Sequence, residues 1–240
     1  MTTVYRDGYA EVYDRVMRAR GRDHAAQSRA IARLARDHDS GATRLLDVAC
    51  GTGLHLRFLR EEFDVTGVDA SAAMLAVAEA RVPGLRTHRA DMREVELAAR
   101  FDVITCLFAV PHLASTAELE QVVARFVRHL APGGVLLVEP WYEPGEFIEG
   151  HVSRDVVEEP ERTTVRLSHS TRLDGSRVRM VVHHAEAHSV TGIRHATDTF
   201  DMTLFTAPEF EAAFAAAGCD AEHVPATPFR WGLWVARPRG

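Results

Sequence analysis

Three aspartates stand where apolar runs end, and their neighbours suggest one ligand recognised in three parts. In "LLDVACGTG" Asp47 closes the first run, and Gly51 and Gly53 follow at once. Glycines at that spacing let the backbone come close to a ligand and offer amide donors at a helix N-terminus. A carboxylate ahead of the turn suits an ammonium group better than a pyrophosphate. In "VTGVDAS" Asp69 ends a second run, where a carboxylate can accept both hydroxyl hydrogens of a ribose. In "RADMRE" Asp91 could take an adenine amino group while Met92 packs on the ring. An ammonium, a ribose and an adenine in that order describe S-adenosylmethionine. Leu56 stands where a dinucleotide fingerprint carries its third glycine, which argues against NAD.

Methyl transfer from a sulfonium is an in-line displacement. The protein must align a nucleophile, exclude water and, for a poor nucleophile, remove a proton. Groups for that work belong at the C-terminal ends of strands or on helices closing over them. His112 fits, since "LFAVPHL" sets it directly after the fourth strand with Pro111 fixing the turn. Tyr13 in "EVYDRV" and Tyr142 in "EPWYEP" come next, and Trp141 could wall the acceptor. Arg22 in "RGRDH" could reach the methionyl carboxylate. Each has a packing alternative: His112 is one of 13 histidines, Tyr13 could pack its helix, and Trp141 and Tyr142 could pack a hinge. The sequence has no Lys and no Asn, so no lysine can act as Schiff base, general base or phosphate clamp.

The elements that must position these residues follow from periodicity. "YAEVYDRVMRA" and "DHAAQSRAIARLARDH" carry apolar residues at helical spacing, with Gly21 between them. Then strands and helices alternate: "RLLDVA", helix "LHLRFLREE", "DVTGVDA", helix "SAAMLAVAEAR" with Ser71 as N-cap, and "LRTHRAD". "FDVITCLFAV" is apolar enough to be central. "STAELEQVVARFVRHL" predicts a helix opened by a Ser115–Glu118 capping box and ended at "APGG", before strand "VLLVEP". With "DAEHV" and "RWGLWVA" at the end, the pattern is an α/β fold with a doubly wound, mostly parallel, seven-stranded sheet. Before that end, "RTTVRLSHSTR", "SRVRMVVHHAEA" and "ATDTFDMTLF" read as antiparallel strands, and "TAPEFEAAFAAAG" as a helix with a Thr206–Glu209 box and Gly218 as its stop. We expect three parts: residues 1–144 with the N-terminal helices and the cofactor core, an antiparallel β insertion over the active site at 145–200, and the rest of the core sheet at 201–240.

Composition narrows the class further. The 240 residues are 46% hydrophobic, enough for one packed α/β domain with an insertion. A net charge of −6 gives no basic stripe for nucleic acid. No run nears the ~18 apolar residues that would span a membrane, and "MTTVYRDGYAEVYDR" lacks a signal peptide's apolar stretch, so a cytoplasmic protein is expected. Cys50, Cys106 and Cys219 are scattered, which suggests buried thiols rather than disulfides or zinc. No acidic cluster suits a metal. Exposed aromatics of the first helix or the insertion could pair two copies as a homodimer.

"LLDVACGTG", "GVDAS" with Met74, "ADM", "FDVITC" and "LAPGGVLLVE" resemble the class I S-adenosylmethionine-dependent methyltransferases. That resemblance implies a cofactor site of Asp47, Ala49, Gly51, Gly53, Asp69, Ala70, Met74, Asp91 and Met92, with Leu107 near the sulfonium and S-adenosylhomocysteine as product. "EVYDRVMRARGRDHAA", "VEPWYEP", "VRLSHSTR", "TLFTAPEFEAAFAAAG" and "GLWV" further resemble the TDP-amino-sugar N,N-dimethyltransferases of macrolide pathways. In that family a first-helix tyrosine and a histidine after the fourth strand lie near the reacting amine, matching Tyr13 and His112. Arg166, Ser168 and His169 match its R-x-S-H-S strand.

The departures fall on the acceptor side. A Ser-Ser-x-Gly run becomes Ala109, Val110 and Pro111; a His-Arg pair becomes Phe200 and Asp201; and a glycine-rich end becomes Pro228, Phe229, Arg230 and Trp231. Aromatic replacements and a new acid suit a flat, uncharged acceptor better than a nucleotide diphosphate. The expectation is therefore a methyltransferase acting on a small specialised metabolite. It leans to an aromatic nitrogen heterocycle such as an indole, methylated at carbon or nitrogen, with Trp141, Arg166, Ser168, Phe229, Arg230 and Trp231 as substrate contacts. The alternative is N,N-dimethylation of a TDP-linked amino-deoxysugar. A non-catalytic S-adenosylmethionine-binding protein and an NAD-dependent oxidoreductase are weaker readings.

Overall fold

A computed structural model describes residues 9–225 and 228–239. Two helices, α1 (Tyr9–Ala19) and α2 (His24–His38), precede the core. The core proper runs β1 (Arg44–Val48), α3 (Leu56–Leu59), β2 (Asp64–Asp69), α4 (Ala72–Arg81), β3 (Arg86–Arg89) and β4 (Phe101–Leu107). A 3-10 turn (Val110–His112), α5 (Thr116–Arg128) and β5 (Leu130–Glu139) follow. After four strands of a separate sheet, α6 (Ala207–Ala216), β10 (Cys219–Val224) and β11 (Leu233–Pro238) complete the core.

The seven-stranded sheet has the order β10-β11-β5-β4-β1-β2-β3, and only the β11 pairings with β5 and β10 are antiparallel. Its central strands are apolar on both faces because both are covered. Leu46, Ile104 and Leu136 meet Leu119, Val123 and Phe126 of α5 and Phe210 and Phe214 of α6. Leu45, Val103 and Leu137 meet Ile31 and Ala35 of α2. Cys50, Cys106 and Cys219 are free thiols. No helix of the described residues is long and apolar enough to cross a membrane.

Local chemistry moves several boundaries. β4 stops at Leu107 rather than Val110, because Phe108 takes φ 59° and turns the chain. The helix after the glycine turn keeps only four residues. "APGG" belongs to β5 rather than to a helix stop: a Cβ on Gly134 would lie 3.0 Å from the Asp102 carbonyl, so glycine lets the strands close there.

The separate sheet has four antiparallel strands in chain order: β6 (Val152–Glu159), β7 (Arg162–Asp174), β8 (Arg177–His188) and β9 (Gly192–Thr203). Three of these were expected, and β6 was not. Its apolar residues point the wrong way for a conventional strand. Val152, Val156, Leu167 and Val181 are exposed, whereas Arg166, Ser168, Ser170 and Glu186 are buried. The inner face is mixed, with these polar residues beside the buried Val178, Val182, Phe200 and Met202. The exposed large apolar side chains of the described residues are all aliphatic, so the aromatic surface expected for pairing two copies is absent among them. In α1, Tyr13 is turned to the cavity described below, and the Tyr9 side chain lies outside the described residues.

Candidate active site

A cavity of about 780 Å³ lies between the C-terminal strand ends of the core, α1 and the inner face of the four-stranded sheet. It brings together Tyr13, Ala49, Gly51, Asp69, Ala70, Met74, Asp91, Met92, Leu107, His112, Trp141, Tyr142, Arg166, Ser168, Arg230 and Trp231. A small annex of about 50 Å³ takes Asp47 and Arg22, and shares Tyr13, Ala49, Gly51 and Leu107 with the cavity.

Two expected residues stand elsewhere. Gly53 lines neither space. Its φ of 72° and the 3.1 Å from a Cβ there to the Ala78 Cβ show that glycine is required where the turn presses on α4. Phe229 is 1% exposed in the core, packed with Leu107 and Leu233. Of the departures, Val110 and Asp201 also face away. Val110 belongs to the α5 core, and Asp201 lies on the outer face of the four-stranded sheet, bonded to Arg179 at 2.6 and 2.7 Å. The new acid therefore does not enter the cavity.

The glycine turn is shaped by backbone. Ala49 (φ 58°) and Gly51 (φ 55°) are both left-handed, so the turn doubles back on itself. The Gly51 amide donates to Asp69 Oδ2 and the Ser71 amide to Asp69 Oδ1, each at 2.8 Å. Asp69 is thus fixed with one lone pair left on each oxygen, in keeping with a diol partner. Burial pushes its carboxyl above the usual range despite those two donors.

Asp47 is 2% exposed, and among the described residues the Thr105 hydroxyl is its side-chain donor, at 2.8 Å. Burial raises it to about 7, against the Thr105 bond and aided by Asp69. A buried carboxylate so little compensated is a seat for a cation. Its neighbour Arg22 forms an ion pair with Glu139, donates through Nε to Gln27 Oε1 at 3.1 Å, and lies 5.0 Å over the Phe108 ring. Glu139 is 1% exposed and burial raises it to about 7, opposed by Arg22. An acid and a guanidinium side by side fit the ammonium and carboxylate of an amino-acid moiety. Together with Asp69 and Asp91 lining the cavity, these residues fit S-adenosylmethionine.

Arg93 organises the next wall. It donates to Asp91 at 3.1 Å, to Glu118 at 2.8 Å and to the His112 carbonyl at 2.5 Å. Glu118 consequently accepts from the Ala114 amide rather than from Ser115, so the expected capping box is only half formed. His112 is held on this turn with its ring edge-on to Phe200 at 6.1 Å. Burial, helped by Arg93, lowers it to about 4, so it is a neutral imidazole at physiological pH. Burial raises the Tyr13 phenol, which stays protonated. At the rim, Trp231 stacks on Phe108 at 5.3 Å and meets Tyr142 at 5.0 Å, with Arg230 over its ring at 5.3 Å.

Sequence reasoning missed Glu139, Phe108, Arg20 and Arg93. Glu139 carried the same signal as Asp47, an acid closing an apolar strand. Arg20 continues a helical stripe with Tyr13 and Met17, all three lining the cavity. Phe108 and Arg93 had no signal, because a left-handed turn and a three-way network are tertiary facts. Among the described residues no group of three His, Cys, Asp or Glu is arranged to hold a metal ion.

Comparison with known proteins gives the following. A methyltransferase domain family matches residues 45–134. A dTDP-3-amino-3,4,6-trideoxy-alpha-D-glucopyranose N,N-dimethyltransferase of Streptomyces venezuelae is 44% identical over 237 residues, covering 98% of this chain and 100% of the relative. A dTDP-4-amino-2,3,4,6-tetradeoxy-D-glucose N,N-dimethyltransferase of Saccharopolyspora spinosa is 43% identical over 98% of this chain and 94% of its own. Among solved structures, SAM-bound CalS10, an amino pentose methyltransferase from Micromonospora echinaspora, superposes with a TM-score of 0.85 at 41% identity, covering 100% of both chains.

Proposed function

Because this chain belongs to the class I S-adenosylmethionine-dependent methyltransferases, alike over 98% of its length to amino-sugar N,N-dimethyltransferases, we propose that it N-methylates a nucleotide-linked amino-deoxysugar. The observation that carries this reading is the charge polarity of the cavity. Its core side ends in Asp69 and Asp91, and its far wall carries Arg20, Arg166 and the hydroxyls of Ser153, Ser168 and Ser170. With the cofactor on Asp69 and Asp91, an acceptor that carries an amine toward Tyr13 and His112 and phosphates toward the arginines matches the space that is left. An indole matches only the middle. Of the replacements that favoured a flat acceptor, Asp201, Val110 and Phe229 lie outside the cavity, while Phe200 and Trp231 line it.

Bound S-adenosylmethionine supplies an electrophilic methyl group on a sulfonium. Asp47, Asp69 and Asp91 hold its cationic and hydroxyl-bearing parts, with Met74, Met92 and Leu107 as apolar contacts. A neutral amine already owns the lone pair that attacks, so no strong base is required. His112, neutral and fixed by the Arg93 network, accepts an amine N–H and aims the lone pair. Tyr13 donates or accepts beside it. Trp141, Tyr142, Arg230 and Trp231 close the rim and exclude water. Arg166 and Ser168 take the anionic end.

Turnover tested by product mass against TDP-3-amino- and TDP-4-amino-deoxyhexoses and substituted indoles decides the acceptor. Two added methyls on a sugar nucleotide are expected. Methylated indole with both sugars inert would refute the proposal and restore the heterocycle.

A further inference from the structure

The inner face of the four-stranded sheet changes character from one side to the other. Ser170, Met180 and Phe200 are cross-strand partners on β7, β8 and β9, and all three line the cavity. With neighbouring strands about 4.8 Å apart, Phe200 lies roughly 10 Å from Ser170. The Phe200 end of this row meets the reacting centre, its ring edge-on to His112 at 6.1 Å. Met202, two residues along β9, faces the same way. Trp141, Phe147 and Met180 pack against Phe200 and Met202 in one apolar cluster. Phe108 meets Trp141 at 6.3 Å from the core side.

The polar side chains of the cavity are disposed elsewhere. Ser153, Arg166, Ser168 and Ser170 belong to β6 and β7, on the far side of the sheet. Arg20 is bonded to Asp155 and Ser153 on that same side. Arg93 is committed to Asp91, Glu118 and the His112 carbonyl. Glu146 and His151 are exposed, and Tyr142 and Arg230 stand at the rim. Tyr13 and His112 are taken by the amine. Around them Phe200, Met180, Met202, Trp141 and Phe108 offer an indole N–H and thioether sulfurs. The Met180 sulfur already accepts from Arg166 Nη2 at 3.6 Å.

We infer that the acceptor is a polydeoxygenated amino-hexose, with no hydroxyl on the ring carbons beside the amine, and that Phe200, Met180 and Trp141 select for it. This rests on the amino-sugar reading above and goes further in naming which members of that class fit.

The geometry of attack forces the contact. An amine aligned behind the methyl group keeps its own carbon, and the carbons beside that one, close to His112. A hydroxyl on either neighbour faces the apolar cluster and leaves water without gaining a partner. A bridging water does not rescue it, since such a water needs two or more polar partners. A C–H bond in the same place loses nothing and packs on Phe200 and Trp141. A hydrophobic wall rejects an added hydroxyl by up to about a hundredfold, so the selection is graded rather than absolute.

The test is kcat/KM at saturating S-adenosylmethionine for two pairs of TDP-linked hexoses, one pair with the amine at C3 and one with it at C4. Within each pair one member carries hydroxyls beside the amine and the other has hydrogen there. In the pair that is methylated, the deoxygenated member should lead by roughly ten- to a hundredfold. Met180→Gln can keep the Arg166 bond through its amide oxygen and offer an N–H to a hydroxyl, and Phe200→Tyr adds a phenol beside His112. Each should shrink the lead by about tenfold, through a gain on the hydroxylated member. The ratio within one enzyme does not depend on how much of it has folded, and comparison with the wild type cancels any difference in amine reactivity. Equal turnover within the methylated pair, or a lead for its hydroxylated member, would overturn the inference and leave the amino-sugar reading standing. A lead that is the same in both variants as in the wild type would overturn the assignment to this wall. Methylation of neither pair would bring down the amino-sugar reading, and this inference with it.

Discussion

Asp47 makes a prediction whose size follows from its surroundings. Its carboxyl is buried, bonded to Thr105 and raised from 3.8 to about 7. An α-ammonium group binds the ionised form, so observed affinity should follow the ionised fraction. With a midpoint near 7, that fraction rises from about 3% at about pH 5.5 to about half at about pH 7, a gain of roughly fifteenfold. Above about pH 8 the ligand's own amino group loses its proton and affinity should fall again. S-adenosylhomocysteine titrated calorimetrically across this range is the assay, with Asp47→Asn as the comparison. The variant should bind about tenfold or more weakly at neutral pH, and its profile should be flat on the acid side. The stability sign is the reverse of an ordinary carboxylate's. The folded midpoint lies above the unfolded one, so the native state holds a proton that the unfolded chain has released. This contribution is whole below about pH 4 and is lost as pH rises through about 7, by on the order of 4 kcal/mol. Asp47→Asn should therefore stabilise the ligand-free protein at about pH 8 by up to that amount. An acid-side slope that persists in Asp47→Asn would refute the argument, because Glu139, also near 7, would then be the titrating group.

Three further outcomes follow from the same geometry. Arg22→Met strands the buried Glu139 and should cost about 3–5 kcal/mol in urea unfolding at about pH 8, and less at about pH 6, where Glu139 can take up a proton. His112→Gln should lower kcat/KM by roughly tenfold rather than the ~10²-fold or more of a lost general base, and at saturating S-adenosylmethionine the variant's pH profile should keep the shape of the wild type's, since His112 stays neutral down to about 4. Gly53→Ala forces a side chain into φ 72° and against Ala78 at 3.1 Å; a loss of about 1–2 kcal/mol in unfolding free energy from the backbone alone, with weakened S-adenosylhomocysteine binding, is the expected pair of readouts.

The core was legible because its signals are local and repeated. Acids ending apolar strands, left-handed glycines after the first strand, and caps at Ser71 and Thr206 each act within a few residues. Five of the strands could be placed because both faces are covered, which makes them apolar without alternation. The acceptor side resisted for the opposite reason. Its four-stranded sheet mixes polar and apolar residues on both faces, with Arg166 and Ser168 buried beside Val178 and Val182 and with Val152, Val156 and Val181 exposed, so hydrophobic patterning hides β6 and says nothing about which face meets the ligand.

Facing also explains the acceptor that the departures first suggested. Phe200 and Asp201 are neighbours in sequence, yet alternation along β9 sends Phe200 into the cavity beside His112 and Asp201 out to Arg179. Phe229 and Trp231, in the turn before β11, also divide, one into the core and one onto the rim. Of the nine changed positions, Val110, Asp201, Pro228 and Phe229 do not line the cavity, whereas Ala109, Pro111, Phe200, Arg230 and Trp231 do. A substitution near a site carries information about specificity only once its side is known. In a period-two strand a one-residue error of assignment reverses the conclusion. The polarity of the cavity survives that error, because it depends on which charges converge in space: aspartates from the core strands at one end, and Arg20 and Arg166 from two separate elements at the other.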